Sequence, residues 1–455
     1  MLSLTGVLML SVPHYLLTRW FSLPALGALT LLLGACDANS QACESSVDCY
    51  VGESCVLGTC VLDEEPDLDA GPDTPDEDAD DTDTPDEDAG DTDQSDADTD
   101  TETDTDTDVI DEPPHPIAIS AAMNFSCTIL SDRTVWCWGD NSAGFITGAD
   151  DEALTPRKID GFDGAVEIAT ANARICVRTE EGAVLCRGDG ALGSGAALVT
   201  KIDEGATQLN AGGYHMCATV GADAALYCWG DNGFEQIGGN NDDPTIVPAP
   251  IAGASNINLF AGGDFHTCMA TTSDEVRCLG HNIDLQLGVE GGQSGELITH
   301  PFFSASTNPV FELVAGGSHN CVLSESAEVW CWGDNSFGQL ATELTSLETS
   351  AQPVMIDLSD ALSDLAAGFE RTCGIGTGGK VFCWGRDEYD QLQHVHEIPD
   401  LEGVDELAIG QRHTCALTRD HAIFCWGKNH LGQLGNGSLT DLEVPLDPVE
   451  APWAQ

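Results

Sequence analysis

Hydrophobic and polar residues divide the chain into three regions of different character. Residues 21–35 form an apolar run, whereas residues 63–112 contain almost no apolar residue. From residue 115 onward, short apolar segments alternate with turn residues, and the whole chain has 49 glycines among 455 residues. The pattern predicts an N-terminal segment too short to span a membrane, a region without a core, and a folded part made of short strands.

Fourteen cysteines form seven regularly spaced pairs in the strand-rich part. The two members are ten residues apart, or eleven in one pair, and first members recur every 41 to 53 residues. A period of this size with strand-rich units is typical of propeller blades or solenoid coils. The pairs are Cys127 with Cys137, Cys176 with Cys186, Cys217 with Cys228, Cys268 with Cys278, Cys321 with Cys331, Cys373 with Cys383, and Cys415 with Cys425.

The last pair shows the local structure that this spacing predicts. Folding the chain about Asp420 places Cys415 opposite Cys425 in a hairpin with a three-residue loop. Directly opposed antiparallel residues lie within disulfide range, so we predict a disulfide in every pair, with free thiols or metal pairs as alternatives. Neighbouring residues point to opposite faces, so Cys425 and Trp426 predict a sheet buried on both faces. The extra residue between Cys217 and Cys228 fits in their loop.

The N-terminal region resembles an export signal. Residues 1–35 end in Leu-Gly-Ala before Cys36, which resembles the lipobox of bacterial lipoproteins. By that resemblance, Cys36 becomes the acylated new N-terminus and the only membrane contact. An ordinary signal peptide and a membrane helix are the alternatives, and translation starting at Met9 is a further possibility. We expect a lipid-anchored protein of the bacterial cell envelope, facing the periplasm or the cell exterior.

Two small segments follow the signal. Residues 36–62 are too few to bury a core, so we predict a disulfide-stapled unit, with a zinc site as the alternative. Residues 63–114 form an Asp/Thr-rich linker that we expect to be disordered and extended by charge repulsion. The linker lacks the Gly-then-Glu continuation of an EF-hand, which argues against ordered calcium loops. The four cysteines of the stapled unit are Cys43, Cys49, Cys55 and Cys60.

Acidic residues dominate the charge of the chain. There are 77 Asp plus Glu against 15 Lys plus Arg, a formal net charge of −62. Residues 63–112 hold 26 of these acids and no base, so the rest still has 51 acids against 15 bases. Nucleic acid binding requires a basic footprint, so this charge excludes nucleic acid as a partner.

The motifs around the cysteine pairs resemble repeats of the regulator of chromosome condensation family. One repeat contains Gly212-Gly213, then His215 and Cys217, then Cys-Trp-Gly, and then Asp-Asn followed by Gln236-Ile-Gly. The resemblance covers about residues 115–450 and implies an all-β, seven-bladed β-propeller of four-stranded blades. The seven cysteine pairs give the same number of blades independently. Arg187 and Leu279 replace the tryptophan in two repeats, and Gln391-Leu392 lacks the closing glycine.

Two sets of polar residues recur at fixed places in the repeats. His215, His266, His319 and His413 each stand two residues before a cysteine, where other repeats have Phe125, Arg174 or Arg371. Because each histidine belongs to a different repeat, we predict hydrogen-bonding roles in preference to a metal site. We likewise predict turn-forming roles, in preference to ligand binding, for the Asp-Asn pairs after the Cys-Trp-Gly turns. These pairs are Asp140-Asn141, Asp231-Asn232 and Asp334-Asn335.

No recognised catalytic motif occurs in the sequence. A nucleophile elbow, a phosphate loop and a zinc-protease helix are all missing, so we predict no enzyme activity, no cofactor and no metal site. The nucleotide exchange and chromatin binding of nuclear family members do not transfer to an exported acidic chain. We predict a monomeric, non-enzymatic binding or adhesion module for a protein or glycan. An inhibitor of a secreted or periplasmic enzyme is the alternative, followed by a propeller-based hydrolase or lyase.

Overall fold

A computed structural model describes the strands at residues 53–56 and 59–62 and, with gaps, residues 112–454. The predicted signal peptide, Cys36, Cys43, Cys49 and the acidic linker up to residue 111 lie outside the described residues. The gaps are residues 149–151, 189–196, 240–243, 292–294, 304–308, 343–347 and 388–391.

The N-terminal unit contains one described hairpin. Strand β1 (Glu53–Val56) pairs with β2 (Thr59–Leu62), and their backbones place Cys55 opposite Cys60. The unit before residue 105 is separate from the larger unit that follows it.

The larger unit is a seven-bladed all-β propeller in which each blade is a meander of consecutive antiparallel strands. The described residues contain no α-helix and no helix able to span a membrane, only 3₁₀ turns at Thr377–Gly379 and Pro452–Ala454. Blade one contains β3 (Pro116–Ala121), β4 (Phe125–Leu130), β5 (Val135–Gly139) and β6 (Ala153–Ile159), and blade two contains β7 (Ala165–Ala171), β8 (Arg174–Thr179), β9 (Val184–Gly188) and β10 (Val199–Ile202). Blade three contains β11 (Ala206–Ala211), β12 (His215–Val220), β13 (Ala225–Gly230) and β14 (Thr245–Pro250). Blade four contains β15 (Ile257–Gly262), β16 (His266–Thr271), β17 (Val276–Gly280) and β18 (Ile298–Thr299). Blade five contains β19 (Val310–Ala315), β20 (His319–Ser324), β21 (Val329–Asp334) and β22 (Thr349–Met355). Blade six contains β23 (Asp364–Ala367), β24 (Arg371–Ile375), β25 (Val381–Arg386) and β26 (Leu392–Glu397). Blade seven contains β27 (Val404–Ile409), β28 (His413–Thr418) and β29 (Ile423–Gly427).

The cysteine pairs form disulfides between the second and third strands of every blade, as predicted. The Cα atoms of bridged cysteines are 4.0 to 4.1 Å apart in all seven blades. Free thiols and metal pairs, the alternatives left open by the spacing, are therefore excluded at these positions. The bridges join Cys127 to Cys137, Cys176 to Cys186, Cys217 to Cys228, Cys268 to Cys278, Cys321 to Cys331, Cys373 to Cys383, and Cys415 to Cys425.

The hairpin register matches the folding predicted from the sequence. In the last blade Cys415 pairs with Cys425, and the N–H of Thr418 donates to the carbonyl oxygen of Ala422 at 2.9 Å. The extra residue between the cysteines of blade three is absorbed in the loop, because Val220 still pairs with Ala225.

In the five blades that have the tryptophan, both faces are buried because the disulfide and the tryptophan point to opposite neighbours. Cys425 and Trp426 are 2% and 1% exposed, which confirms the two-sided burial predicted from their adjacency. The disulfide of one blade packs in the same buried cluster as the tryptophan of the next blade. This holds for the disulfides of blades two, four, five, six and seven with Trp229, Trp332, Trp384, Trp426 and Trp138.

The glycine two residues after the second cysteine of each blade has a positive φ, a backbone conformation that other residues rarely adopt. Gly139 has φ of +106°, and a Cβ there would lie 2.5 Å from the carbonyl oxygen of Asn124 in the turn before β4. The equivalent glycines of the other six blades also have φ above +100°. In blades one, three, five and six the strand register shifts between the second cysteine and this glycine, so a β-bulge lies at the end of the third strand.

Blade seven departs from the four strands that the resemblance implied. It has three strands, and residues near the C-terminus occupy the outer position through bridges from Phe424 to Pro448 and from Gly427 to Leu442. Pro445 and Pro448 have no N–H to donate, so this segment cannot form a regular ladder. The ring closes by direct packing of blade seven on blade one. The strands of each of these two blades follow one another in sequence.

Removing one disulfide should lower the free energy of unfolding by about 2–3 kcal/mol, because a ten-residue loop is freed in the unfolded chain. The test is denaturant unfolding of the Cys268→Ala, Cys278→Ala double variant under non-reducing conditions. An unchanged midpoint would contradict a stabilising role for this bridge.

Candidate functional site

Four buried histidines connect consecutive blades. His215 Nε2 lies 2.8 Å from Thr267 Oγ1 of the next blade, and this hydroxyl donates to the carbonyl oxygen of Gln236 at 2.7 Å. The Thr267 hydroxyl oxygen therefore accepts a hydrogen bond from His215 Nε2–H. In the next interface His266 Nε2 donates to Asn320 Oδ1 at 2.9 Å. These bonds confirm the predicted hydrogen-bonding role.

The same bond closes the ring and recurs between blades five and six. His413 Nε2 lies 2.8 Å from Ser126 Oγ of blade one, and His319 Nε2 lies 2.8 Å from Thr372 Oγ1 of blade six. Residues 126 and 413 are 287 positions apart in sequence. Closure therefore uses the same contact as the internal interfaces.

A glycine three residues before each histidine makes room for the imidazole ring. A Cβ at Gly263 would lie 2.0 Å from Cε1 of His266, and a Cβ at Gly410 would lie 2.2 Å from Cε1 of His413. Where the sequence has alanine at this position, at Ala122 and Ala171, phenylalanine or arginine replaces histidine. The glycine and the histidine therefore form one packing unit.

The three blades without this histidine use other contacts at the same place. Arg174 donates to the backbone oxygen of Tyr214 at 2.9 Å, and Arg371 donates to Thr414 Oγ1 of blade seven. Phe125 is buried and packs edge-on against Phe145, with ring centroids 4.9 Å apart.

Burial keeps the four histidines neutral. Desolvation lowers the pKa of His215 and His413 to about 3, and that of His266 and His319 to about 4. Because these side chains serve the interfaces, they are not positioned as catalytic bases or ligands. Within the described residues, no group of three or more His, Cys, Asp or Glu could hold a metal ion.

The Asp-Asn pairs brace the loop between the third and fourth strands. Asn232 Oδ1 accepts from the N–H of Ile237 at 3.1 Å, and Asn335 Oδ1 accepts from Leu340 at 2.9 Å. Asp231 and Asp334 each accept from the glutamine amide five residues later, at 2.8 Å. The predicted turn-forming role is confirmed for these two pairs.

A channel runs between the innermost strands. It contains two cavities of about 340 and 110 Å³, which share one lining residue from every blade. We call these seven residues the collar, and most of them are small because the inner strands converge there. The collar consists of Ala121, Thr170, Ala211, Gly262, Ala315, Ala367 and Ile409.

Three carboxylic acids line the larger cavity. Glu312 accepts a hydrogen bond from the N–H of Leu365 at 2.8 Å, and Glu406 accepts from the N–H of Ile119 at 3.2 Å, each across a blade interface. Burial, followed by the charge and hydrogen bond of Asp364, raises the pKa of Glu312 to about 9. Burial raises the pKa of Glu406 to about 8 and also raises that of Asp364.

A cluster of aromatic side chains reaches the smaller cavity through Tyr214, and this cavity opens at the loops between first and second strands. Tyr214 lines this mouth and stacks on Phe265, with centroids 5.1 Å apart and planes at 6°. Phe234 contacts Phe265 at 4.8 Å and His281 at 4.5 Å and is 40% exposed. We call these four residues the aromatic patch.

The sequence motifs identified the framework and missed the channel and its mouth. Neither the acids nor the aromatic patch belongs to a recognised motif. A periodic signal was nevertheless present, because Glu312, Asp364 and Glu406 each stand nine residues before the first cysteine of their repeat. Tyr214 and Phe265 likewise stand three residues before theirs. The predicted lipidation site Cys36 remains a prediction.

Replacing His413 by alanine should reduce the free energy of unfolding by about 1–3 kcal/mol, because Ser126 loses its buried partner at the closing interface. Thermal and denaturant unfolding measure the change. His430→Ala is the control, since the His430 side chain is 65% exposed. Equal stabilities of the two variants would contradict the closing role.

Glu406→Gln should stabilise the protein at pH 9 and leave its stability nearly unchanged at pH 4. Because the pKa of Glu406 is raised, its carboxyl group keeps a proton in the folded protein that the unfolded chain releases above about pH 4.5. The wild-type stability that depends on this proton is therefore lost as pH rises through about 8. Glutamine is always neutral and still offers an acceptor to Ile119. Melting temperatures at the two pH values test this, with the exposed Glu443→Gln as control. A melting temperature for Glu406→Gln that followed the wild type at both pH values would contradict the buried protonated state.

Comparison with known proteins finds similarity to a known repeat in part of the chain. Residues 312–339, 363–391 and 404–433 match the Regulator of chromosome condensation (RCC1) repeat. The chain is 28% identical to the ultraviolet-B receptor UVR8 of Arabidopsis thaliana over 263 residues, 54% of this chain and 57% of UVR8. It is 26% identical to the secretion-regulating guanine nucleotide exchange factor of Mus musculus over 171 residues, 37% of this chain and 36% of that protein. The matches thus span less than two thirds of these relatives.

A solved structure supports the same fold. Yeast RCC1 (Prp20), crystallised with Kap60, superposes with a TM-score of 0.61 at 17% identity over 74% of this chain and 85% of that one. The matched repeat segments lie in blades five, six and seven, where the histidine, disulfide and tryptophan positions have just been described. The segments that match the RCC1 repeat thus cover one stretch in each of three blades, and the solved structure supports the propeller fold.

Proposed function

We propose that the propeller is a non-enzymatic binding module that recognises a partner protein through the face that carries the channel mouth. The observation that carries the proposal is the aromatic patch, in which Phe265 contacts both Phe234 and Tyr214 and all three remain partly exposed. A connected aromatic surface on a folded domain is typical of an interaction site, and aromatic residues dominate binding energy at such sites.

The rigid support under this face favours recognition over catalysis. Tyr214 and Phe265 directly precede His215 and His266, which are fixed by interblade hydrogen bonds. The aromatic rings are thus held by the framework and lose little conformational freedom on binding. The relatives named above are a receptor and a guanine nucleotide exchange factor, and yeast RCC1 is bound by Kap60 in its crystal structure. We take from them a protein-binding or regulatory role.

We further propose that the propeller is displayed outside a bacterial cell. The lipobox-like sequence before Cys36 and the acidic linker up to residue 114 support a lipid anchor followed by an extended spacer. A displayed module of this kind suits adhesion to a protein partner. Inhibition of a secreted or periplasmic enzyme is the second candidate, since blocking an active site requires the same kind of rigid face.

Phe234→Ser should weaken partner binding about tenfold or more, because it removes an exposed aromatic ring while leaving the buried core unchanged. Full-length protein is immobilised to capture partners from envelope and medium fractions, and the affinity of each purified partner is then measured by calorimetry.

Phe302→Ser is the matched control. Phe302 is 46% exposed and contacts Phe303 and Trp330, so it belongs to a second aromatic cluster away from the mouth. Equal binding by Phe234→Ser and wild type would contradict the assignment of the face. A captured enzyme whose turnover is blocked by the wild-type protein would favour the inhibitor candidate.

A further inference from the structure

Carboxylic acids line both the channel mouth and the larger cavity. Asp264 is the acid at the mouth, and Glu312, Asp364 and Glu406 are those of the larger cavity below the collar. No lysine or arginine occurs among the described residues that line the two cavities. At the mouth, the carboxylate of Asp264 would repel an anionic ligand and attract a cationic group.

Asp264 has no internal counter-charge. It lies in the turn between β15 and β16, and its backbone N–H donates to the carbonyl oxygen of Gly317 at 3.1 Å. In the described part of the chain, no hydrogen bond or ion pair reaches its carboxylate. The carboxylate occupies space beside Gly213 and Gly317 that side chains at these positions would fill. Two neighbouring blades thus keep this space open around a half-buried acid.

Two aromatic residues line the mouth together with this carboxylate. Tyr214 and Phe369 line the same mouth, and Phe369 is 37% exposed next to Gly317. The Tyr214 ring is backed by Phe265, so its face is held in place. Rings of this kind attract lysine ammonium and arginine guanidinium groups, and a nearby carboxylate adds direct charge pairing.

We propose that the channel mouth receives a lysine or arginine side chain of the partner protein, with Asp264 as its counter-ion and Tyr214 and Phe369 as its aromatic walls. This inference rests on the proposed function, because it names the chemistry of the group that the binding face recognises.

Burial and the charge of Glu370 raise the pKa of Asp264 to about 6, as expected for an acid that lacks a partner. Asp264 is therefore mainly charged at neutral pH. Pairing with a cationic side chain would relieve the cost of its partial burial, so the basic group of a partner gains more here than at an exposed carboxylate.

The test measures binding of a tetralysine peptide to the full-length protein by calorimetry at neutral pH and physiological salt. Asp264→Asn should weaken binding at the mouth about tenfold or more, because the amide retains the shape and removes the charge. Asp274→Asn is the control, since Asp274 lies at the tip of the hairpin between β16 and β17. Both variants retain the acidic linker, so peptide attracted to the linker contributes equally.

A second variant separates folding from recognition. Tyr214→Leu keeps an apolar contact with Phe265 and removes the aromatic face, so it should weaken tetralysine binding by a smaller factor than Asp264→Asn. Melting temperatures of both variants are expected near the wild-type value. Unchanged tetralysine affinity in Asp264→Asn would overturn the inference, as would loss equal to that of Asp274→Asn.

The captured partner distinguishes this inference from the proposed function. If Phe234→Ser loses the partner while Asp264→Asn retains full affinity, the binding face stands and the basic side chain is wrong. If both variants bind as the wild type does, both are wrong. Spermidine that binds more tightly than tetralysine would also overturn the inference, because it would indicate a free polyamine as ligand.

Discussion

The contact between consecutive blades is the interaction on which this structure depends. In six of the seven blades a disulfide lies on one face and a tryptophan or leucine on the other, so neither face can be left in water. Packing the disulfide of one blade against Trp426 or its equivalent in the next blade buries both faces at once. A repeat that buries its surface only against neighbours has no stable end, and a closed ring removes the ends.

Hydrogen bonds make this packing specific. His215 is hydrogen-bonded to Thr267 of the next blade, and the Thr267 hydroxyl donates to the backbone carbonyl oxygen of Gln236. Trp332 donates directly to the equivalent backbone carbonyl oxygen, that of Gln286. Such a network tolerates little sliding of one blade on the next, because each buried donor would lose its acceptor. The loops that follow these strands, including the aromatic patch, therefore present fixed positions to a partner.

The stability of the ring combines two opposite responses to pH. The buried histidines must be neutral, so their contribution is present above about pH 6.5 and is lost as pH falls toward 4. The protonated Glu312 and Glu406 contribute in the opposite sense, since their stabilisation is lost as pH rises through about 8 to 9. Near neutral pH the histidines are neutral and these acids retain most of their protons.

The sequence by itself determined the local structure of each blade. A ten-residue spacing and period-two alternation decide which cysteines oppose each other, because a hairpin is closed by residues close in sequence. Residues whose partners lie in another blade could be assigned only a general role: His413 was expected to form a hydrogen bond, but its acceptor Ser126 is 287 positions away. The three-stranded last blade, the closing contact, the acidic channel and the meeting of Tyr214 with Asp264 were decided by the tertiary structure. They depend on how seven blades converge around one axis, and no local pattern encodes that geometry.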